Sequence, residues 1–167
     1  MKNLTLIITH NTTLKFIPLV AFHHLPSLEY FQVQRANLNT LGPYSFKHFT
    51  SLSTILLPRN SIELLEYNAF ADLTDLSKMD LSVNKIRVIN RHVFVRLPNL
   101  KELRIDYNNI TTLQDRAFRD LGGLLELNLS FNHIQLRRYI DAGKHQLGSE
   151  INVDPTSSFS QSHLVTD

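Results

Sequence analysis

The chain has 167 residues, 43% hydrophobic and 19% charged, the composition of a folded globular unit rather than a disordered or fibrous one. Seventeen Lys and Arg against fifteen Asp and Glu leave a formal charge of +2, too small an excess to point to a phosphate-binding surface, so nucleic acid is not an expected partner. There is no cysteine, which excludes disulfides, thiolate zinc sites and thiol nucleophiles among these residues.

The first ten residues, Met1 to His10, carry one basic residue and a brief apolar patch, with no long apolar core and no small-residue cleavage site, so no secretion signal is read there. No apolar run approaches the roughly 18 residues that a membrane span needs, and none is expected. Phenylalanine then sets a period: Phe22, Phe46, Phe70, Phe94 and Phe118 follow one another at 24-residue intervals. Units begun at Leu4, Leu28, Leu52, Leu76, Leu100 and Leu124 carry Ile7, Phe31, Ile55, Met79, Leu103 and Leu127 at the fourth position. The sixth position reads Thr9, Val33, Leu57, Leu81, Ile105 and Leu129, and the eleventh Leu14, Leu38, Ile62, Ile86, Ile110 and Ile134. The predicted array therefore spans 4–134, as units 4–27, 28–51, 52–75, 76–99 and 100–123 and a partial unit 124–134. At the ninth position stand Asn60, Asn84, Asn108 and Asn132, whose amides both donate and accept and so satisfy the backbone of turns buried between coils. Thr12 and Ala36 take that place in the first two units, where the array is expected to be looser.

The pattern is complete from Leu100 to Ile110 and continues through Leu113, Phe118 and Leu121. It resembles the leucine-rich repeat family, in its 24-residue typical class, over residues 4 to about 134. The resemblance implies an α/β solenoid, a curved horseshoe slab. Short strands such as Glu102 to Asp106 would form a concave parallel sheet, with turns or short helices such as Asp115 to Asp120 behind. Such families usually close both ends with cysteine-rich caps, which this sequence lacks. The apolar strand Thr5 to Thr9 is then an open edge, inviting self-association through uncapped ends, and the chain reads as part of a longer protein or an incomplete one. Past Ile134 the pattern lapses at Arg137 and Ala142; residues 135–147 are predicted as a short helical lid and 148–167 as a disordered polar tail.

For function, the resemblance implies a non-enzymatic scaffold that binds a protein ligand through its concave face, in a receptor-like, adhesion or matrix protein at or outside the cell surface. An intracellular adaptor or regulatory subunit is the alternative, which the absence of cysteine fits. The eighth position runs Asn11, Arg35, Arg59, Val83, Tyr107, Phe131, two adjacent arginines and then two adjacent aromatics, the residue types that dominate interface hot spots. The same row also reads as ordinary exposed surface. Asp80 and Arg104 fall on neighbouring strands with Asp106 beside Arg104, and Lys78 and Glu102 form a second cross-strand pair. These charges steer a partner or simply neutralise one another. Tyr30 and Leu56 extend the contact surface towards the N-terminal half.

His24, His48 and Asp72 share a convex column that reads as solvated surface rather than a metal site, and no cofactor is expected. No Gly-x-Ser-x-Gly elbow, phosphate-binding glycine loop or His-Glu-x-x-His pattern occurs, so catalysis is unsupported. Four glycosylation sequons begin at Asn3, Asn11, Asn109 and Asn128. A glycan on Asn128 would obstruct the concave face beside Phe131.

Overall fold

The computed structural model describes residues 4–9, 15–16, 25, 27–47, 49–134 and 150–152. The segment 135–147, expected as a lid, lies outside them, as do Asn3, Asn11, His24 and His48.

Because apolar residues recur at the fourth and sixth positions of the coils begun at Leu28, Leu52, Leu76, Leu100 and Leu124, each of these lays a short extended segment with its fourth residue inward. Strands β1 (Leu4–Thr9), β2 (Leu28–Gln34), β4 (Thr54–Leu56), β6 (Lys78–Asp80), β8 (Glu102–Arg104), β10 (Glu126–Asn128) and β11 (Glu150–Asn152) stack in that order into one seven-stranded sheet, parallel throughout. From β2 onward each strand sits one period from the last: Phe31 faces Ile55, Ile55 faces Met79, Met79 faces Leu103 and Leu103 faces Leu127. Two smaller ladders, β3 (Thr40–Leu41) with β5 (Leu64–Leu65) and β7 (Val88–Ile89) with β9 (Thr112–Leu113), line the descending side. The slab is a parallel β-solenoid.

Two ends of the array depart from the simple period. At the start a bulge between Leu4 and Thr5 slips β1 by one residue, so Leu6 faces Phe31 and Ile8 faces Val33, where Ile7 and Thr9 were expected. A one-residue slip exchanges the two faces of a strand, and this slip sets Leu6, in place of Ile7, opposite Phe31. Leu6 packs against the core accordingly. At the other end, Glu150–Asn152, within the segment expected as a polar tail, pair with β10 as Glu126 to Glu150, Leu127 to Ile151 and Asn128 to Asn152. This continues the 24-residue register, with Ile151 at a fourth position. The open edge of β10 presents unpaired backbone groups, and an extended segment in register satisfies them.

The core is a set of rows running along the solenoid. Leu28, Leu52, Leu76 and Leu100 are fully buried, as are Phe31, Ile55, Met79 and Leu103. Behind them runs the phenylalanine column. Phe46, Phe70, Phe94 and Phe118 stack at centroid separations of 5.4, 5.8 and 6.0 Å with interplanar angles of 12°, 15° and 18°. Phe31 meets Phe46 edge-on at 5.4 Å and closes the column against the sheet.

The convex side, expected as turns or short helices, is made of turns; the described residues contain no helix. Left-handed backbone at Asn68, Asp72, Arg96 and Arg116 interrupts every run that would otherwise wind into a helix, and the runs are too short to nucleate one.

Candidate functional site: the strand-end row and the concave face

Each coil must turn sharply where its strand ends, and the turn falls on the eighth position. Arg35, Arg59, Val83, Tyr107 and Phe131 have φ of 53°, 56°, 54°, 52° and 54°, so the row expected from sequence lies entirely in the left-handed region. Four of its N–H groups donate to the next coil: Arg35 to Arg59 O at 3.0 Å, Arg59 to Ser82 O at 3.1 Å, Val83 to Asp106 O at 3.0 Å and Tyr107 to Ser130 O at 3.0 Å. The backbone beneath the row is therefore fixed coil to coil. An L-residue with a side chain pays about 1–2 kcal/mol for this conformation, and glycine or asparagine would sit there with less strain.

One residue further on, the asparagines lock the turn from inside. The Asn108 amide nitrogen donates to Leu81 O, Ile105 O and Asp106 O at 3.0, 3.1 and 3.2 Å, and its oxygen accepts from the Ile86 N–H at 3.0 Å. Asn84 and Asn132 repeat the pattern, and Asn60 accepts from the Ala36 N–H at 3.0 Å. Rigid turns inside hold a rigid row outside.

All five side chains of the row are exposed, with Val83 at 41%, Tyr107 at 50% and Phe131 at 48%. Tyr107 and Phe131 stack on one another, centroids 4.1 Å apart and rings 11° from parallel. This stacking was not foreseen, although the 24-residue spacing of two aromatics signals it. At the other end, Arg35 and Arg59 are exposed in adjacent coils, and neither makes an ion pair within the described residues.

On the strands the charges are engaged. Lys78 Nζ donates to Glu102 Oε2 at 2.6 Å, as the strand register predicts. Asp80 is the strand neighbour of Arg104, but its Oδ1 accepts from the Ser82 N–H at 2.8 Å. Arg104 Nε lies 3.4 Å from Asp106 Oδ1. Partial burial works against the Arg104 charge, and the carboxylates of Asp106 and Asp80 outweigh it, so the guanidinium pKa is raised.

Asp106 corrects the sequence reading: expected on the open face, it is only 3% exposed, and its Oδ1 makes no hydrogen bond. Strand β8 ends at Arg104, and Asp106 is drawn under the turn. Tyr30 is half-buried and donates its hydroxyl to Gln32 Oε1 at 2.8 Å, while Leu56, also half-buried, stands on β4. Thus Tyr30, Asp80 and Arg104 lie on the sheet, Arg35, Arg59, Tyr107 and Phe131 on the strand-end row, and Asp106 beneath it.

Of the sequons within the described residues, Asn109 is exposed just past the ladder, whereas Asn128 is half-buried on β10 and its Oδ1 accepts from the Ser130 N–H at 3.1 Å. On the convex side Asp72 is gripped by Arg96, through Nε to Oδ1 and through Nη2 to Oδ2 at 2.7 Å, and this hydrogen-bonded guanidinium holds the Asp72 carboxyl below the usual range. Among the described residues no three His, Asp or Glu side chains converge as metal ligands would.

Comparison with known sequences and structures adds the following. A family model described as a BspA type leucine rich repeat region matches residues 4–147 in six copies. Among curated proteins no sequence matches. The chain is similar to one solved in the crystal structure of the TLR13-ssRNA13 complex, with a TM-score of 0.75 and 26% identity over 84% of this chain. The match covers 20% of that protein, so the present chain spans about a fifth of its length.

Proposed function

The chain belongs to the BspA-type leucine-rich repeat family, and from that premise we propose that it is a non-enzymatic scaffold for a protein ligand, part of a receptor-like or secreted adhesion or matrix protein. The ligand lies across the concave strands and is gripped along the strand-end row by Arg35, Arg59, Tyr107 and Phe131, with Tyr30, Asp80 and Arg104 beside it. One observation carries this reading: five consecutive coils place Arg, Arg, Val, Tyr and Phe, all exposed, in a backbone conformation that glycine or asparagine would occupy with less strain. The fold does not require these side chains, and strain retained at exposed positions points to a role outside the fold. An extracellular setting is supported by the exposed sequon at Asn109.

The test is a binding screen of the whole chain against arrayed secreted and cell-surface proteins, repeated with Arg59→Glu and Tyr107→Ala. A true partner loses about tenfold or more in affinity with either variant, while circular dichroism and melting stay those of the parent. Partners whose affinity both variants leave unchanged would move the site off the strand-end row.

A further inference from the structure

We propose that the strand-end row reads a linear motif: an extended peptide with two acidic residues over Arg35 and Arg59 and, about four residues away, an aromatic or large aliphatic side chain against Tyr107 and Phe131. This rests on the preceding reading and names the chemistry of the ligand. The arginines supply the first half of the motif. Like charges on neighbouring coils repel, and these two have no acidic partner among the described residues, whereas Asp80, Glu102 and Asp106 are held by Ser82, Lys78 and Arg104. An acidic pair relieves that repulsion, and planar guanidinium groups match carboxylates two bonds at a time.

The stacked rings supply the second half. With centroids 4.1 Å apart and planes 11° from parallel, Tyr107 and Phe131 already form one apolar block, about half exposed, whose paired edges and outer faces accept a further ring or aliphatic chain with little loss of conformational freedom in the row. The spacing follows from the solenoid. Coils are about 4.8 Å apart on the sheet, so the middle of the arginine pair and the middle of the aromatic pair, three coils apart, are separated by about 14 Å, or about four residues of extended chain at roughly 3.3 Å each. Val83, exposed at 41% between them, offers a small apolar step.

A single-stranded nucleic acid also presents anions and flat rings, but the row suits it less. A phosphate backbone carries charge at every step, but beyond the arginines the row is uncharged, as Val83, Tyr107 and Phe131, and the concave cations Lys78 and Arg104 are already paired with Glu102 and Asp106. Tyr107 and Phe131 are closed on each other, so no base enters between them.

The experiment selects a randomised dodecapeptide phage library on the whole chain, then measures the affinity of the synthesised winners. Arg35→Asn with Arg59→Asn, and Tyr107→Asn with Phe131→Asn, are the variants of choice, because asparagine accepts the left-handed backbone and leaves the coils intact. The inference expects winners with an acidic pair about four residues from an aromatic or large aliphatic side chain, and a loss of about tenfold or more in each double variant. Raised salt should weaken binding to the parent and leave the residual binding of the arginine variant little changed. Winners that depend on Tyr30 and Leu56 but not on the row would overturn the motif while leaving the scaffold reading in place. Absence of any winner, or binding indifferent to every concave and row substitution, would remove both. Tight binding of a poly-U RNA, abolished by the arginine variant, would overturn the motif in favour of nucleic acid.

Discussion

Asn108 satisfies four buried backbone groups with one side chain while being only 3% exposed itself. Replacing it by alanine leaves the Ile86 N–H and the carbonyls of Leu81, Ile105 and Asp106 to find other partners where water has little access. At about 1–3 kcal/mol for each buried group left unpaired, even partial failure costs about 3 kcal/mol or more. Urea unfolding of Asn108→Ala measures this, and a loss below about 1 kcal/mol would mean that water replaces the amide. The ladder was legible in the sequence because its chemistry admits few residue types at that place. Neither the burial of Asp106 nor the stacking of Tyr107 on Phe131 was read there, the first because a period assigns faces to strand residues but not to the turn that follows. Val83 shows the other side of this: a β-branched residue at φ 54° is a poor match to the turn, and no propensity scale would have placed it there.

Among the elements, the phenylalanine column gives the solenoid its back wall. Phe94 stacks on Phe70 at 5.8 Å and on Phe118 at 6.0 Å and is 1% exposed, so Phe94→Ala opens a cavity between two coils that their shared backbone bonds prevent from collapsing fully. The expected loss is about 3–5 kcal/mol, read from thermal or urea unfolding. Phe118→Ala should cost less, because that ring is only partly buried. The main-sheet strands β2, β4, β6, β8 and β10 were legible as units because their inward residues recur with one period. The slip in β1 was not, because Leu6, Ile7 and Ile8 are all apolar and the sequence alone does not choose which of them faces the core. Strand β11 was hidden for the opposite reason. Ile151 and Val153 occupy the fourth and sixth positions of a further unit, but Gly148 and Ser158 stand where leucine and isoleucine were expected, and the polar composition of the segment outweighed them.

For the whole molecule, one coil is related to the next by a nearly constant step, and stability is close to a sum over neighbouring coils. Excision of residues 76–99 should therefore leave a folded array: Asn108 would meet Leu57 O in place of Leu81 O, both sixth-position carbonyls. Circular dichroism and a cooperative melt test this, and loss of the transition would contradict it. The same excision brings Arg59 one coil nearer to Tyr107, shortening the arginine-to-aromatic spacing from about 14 to about 10 Å, so a shortened array that folds should prefer peptides with one residue fewer between acid and aromatic. The left-handed row carries a consequence for the history of such a surface. Its backbone disfavours every unbranched L side chain by a similar amount, so exchanges among arginine, tyrosine, glutamine or lysine are nearly level for the fold. Mutations there can drift, be selected for a new ligand and be replaced again, while a change of the asparagine one residue away costs the fold its buried turn bonds.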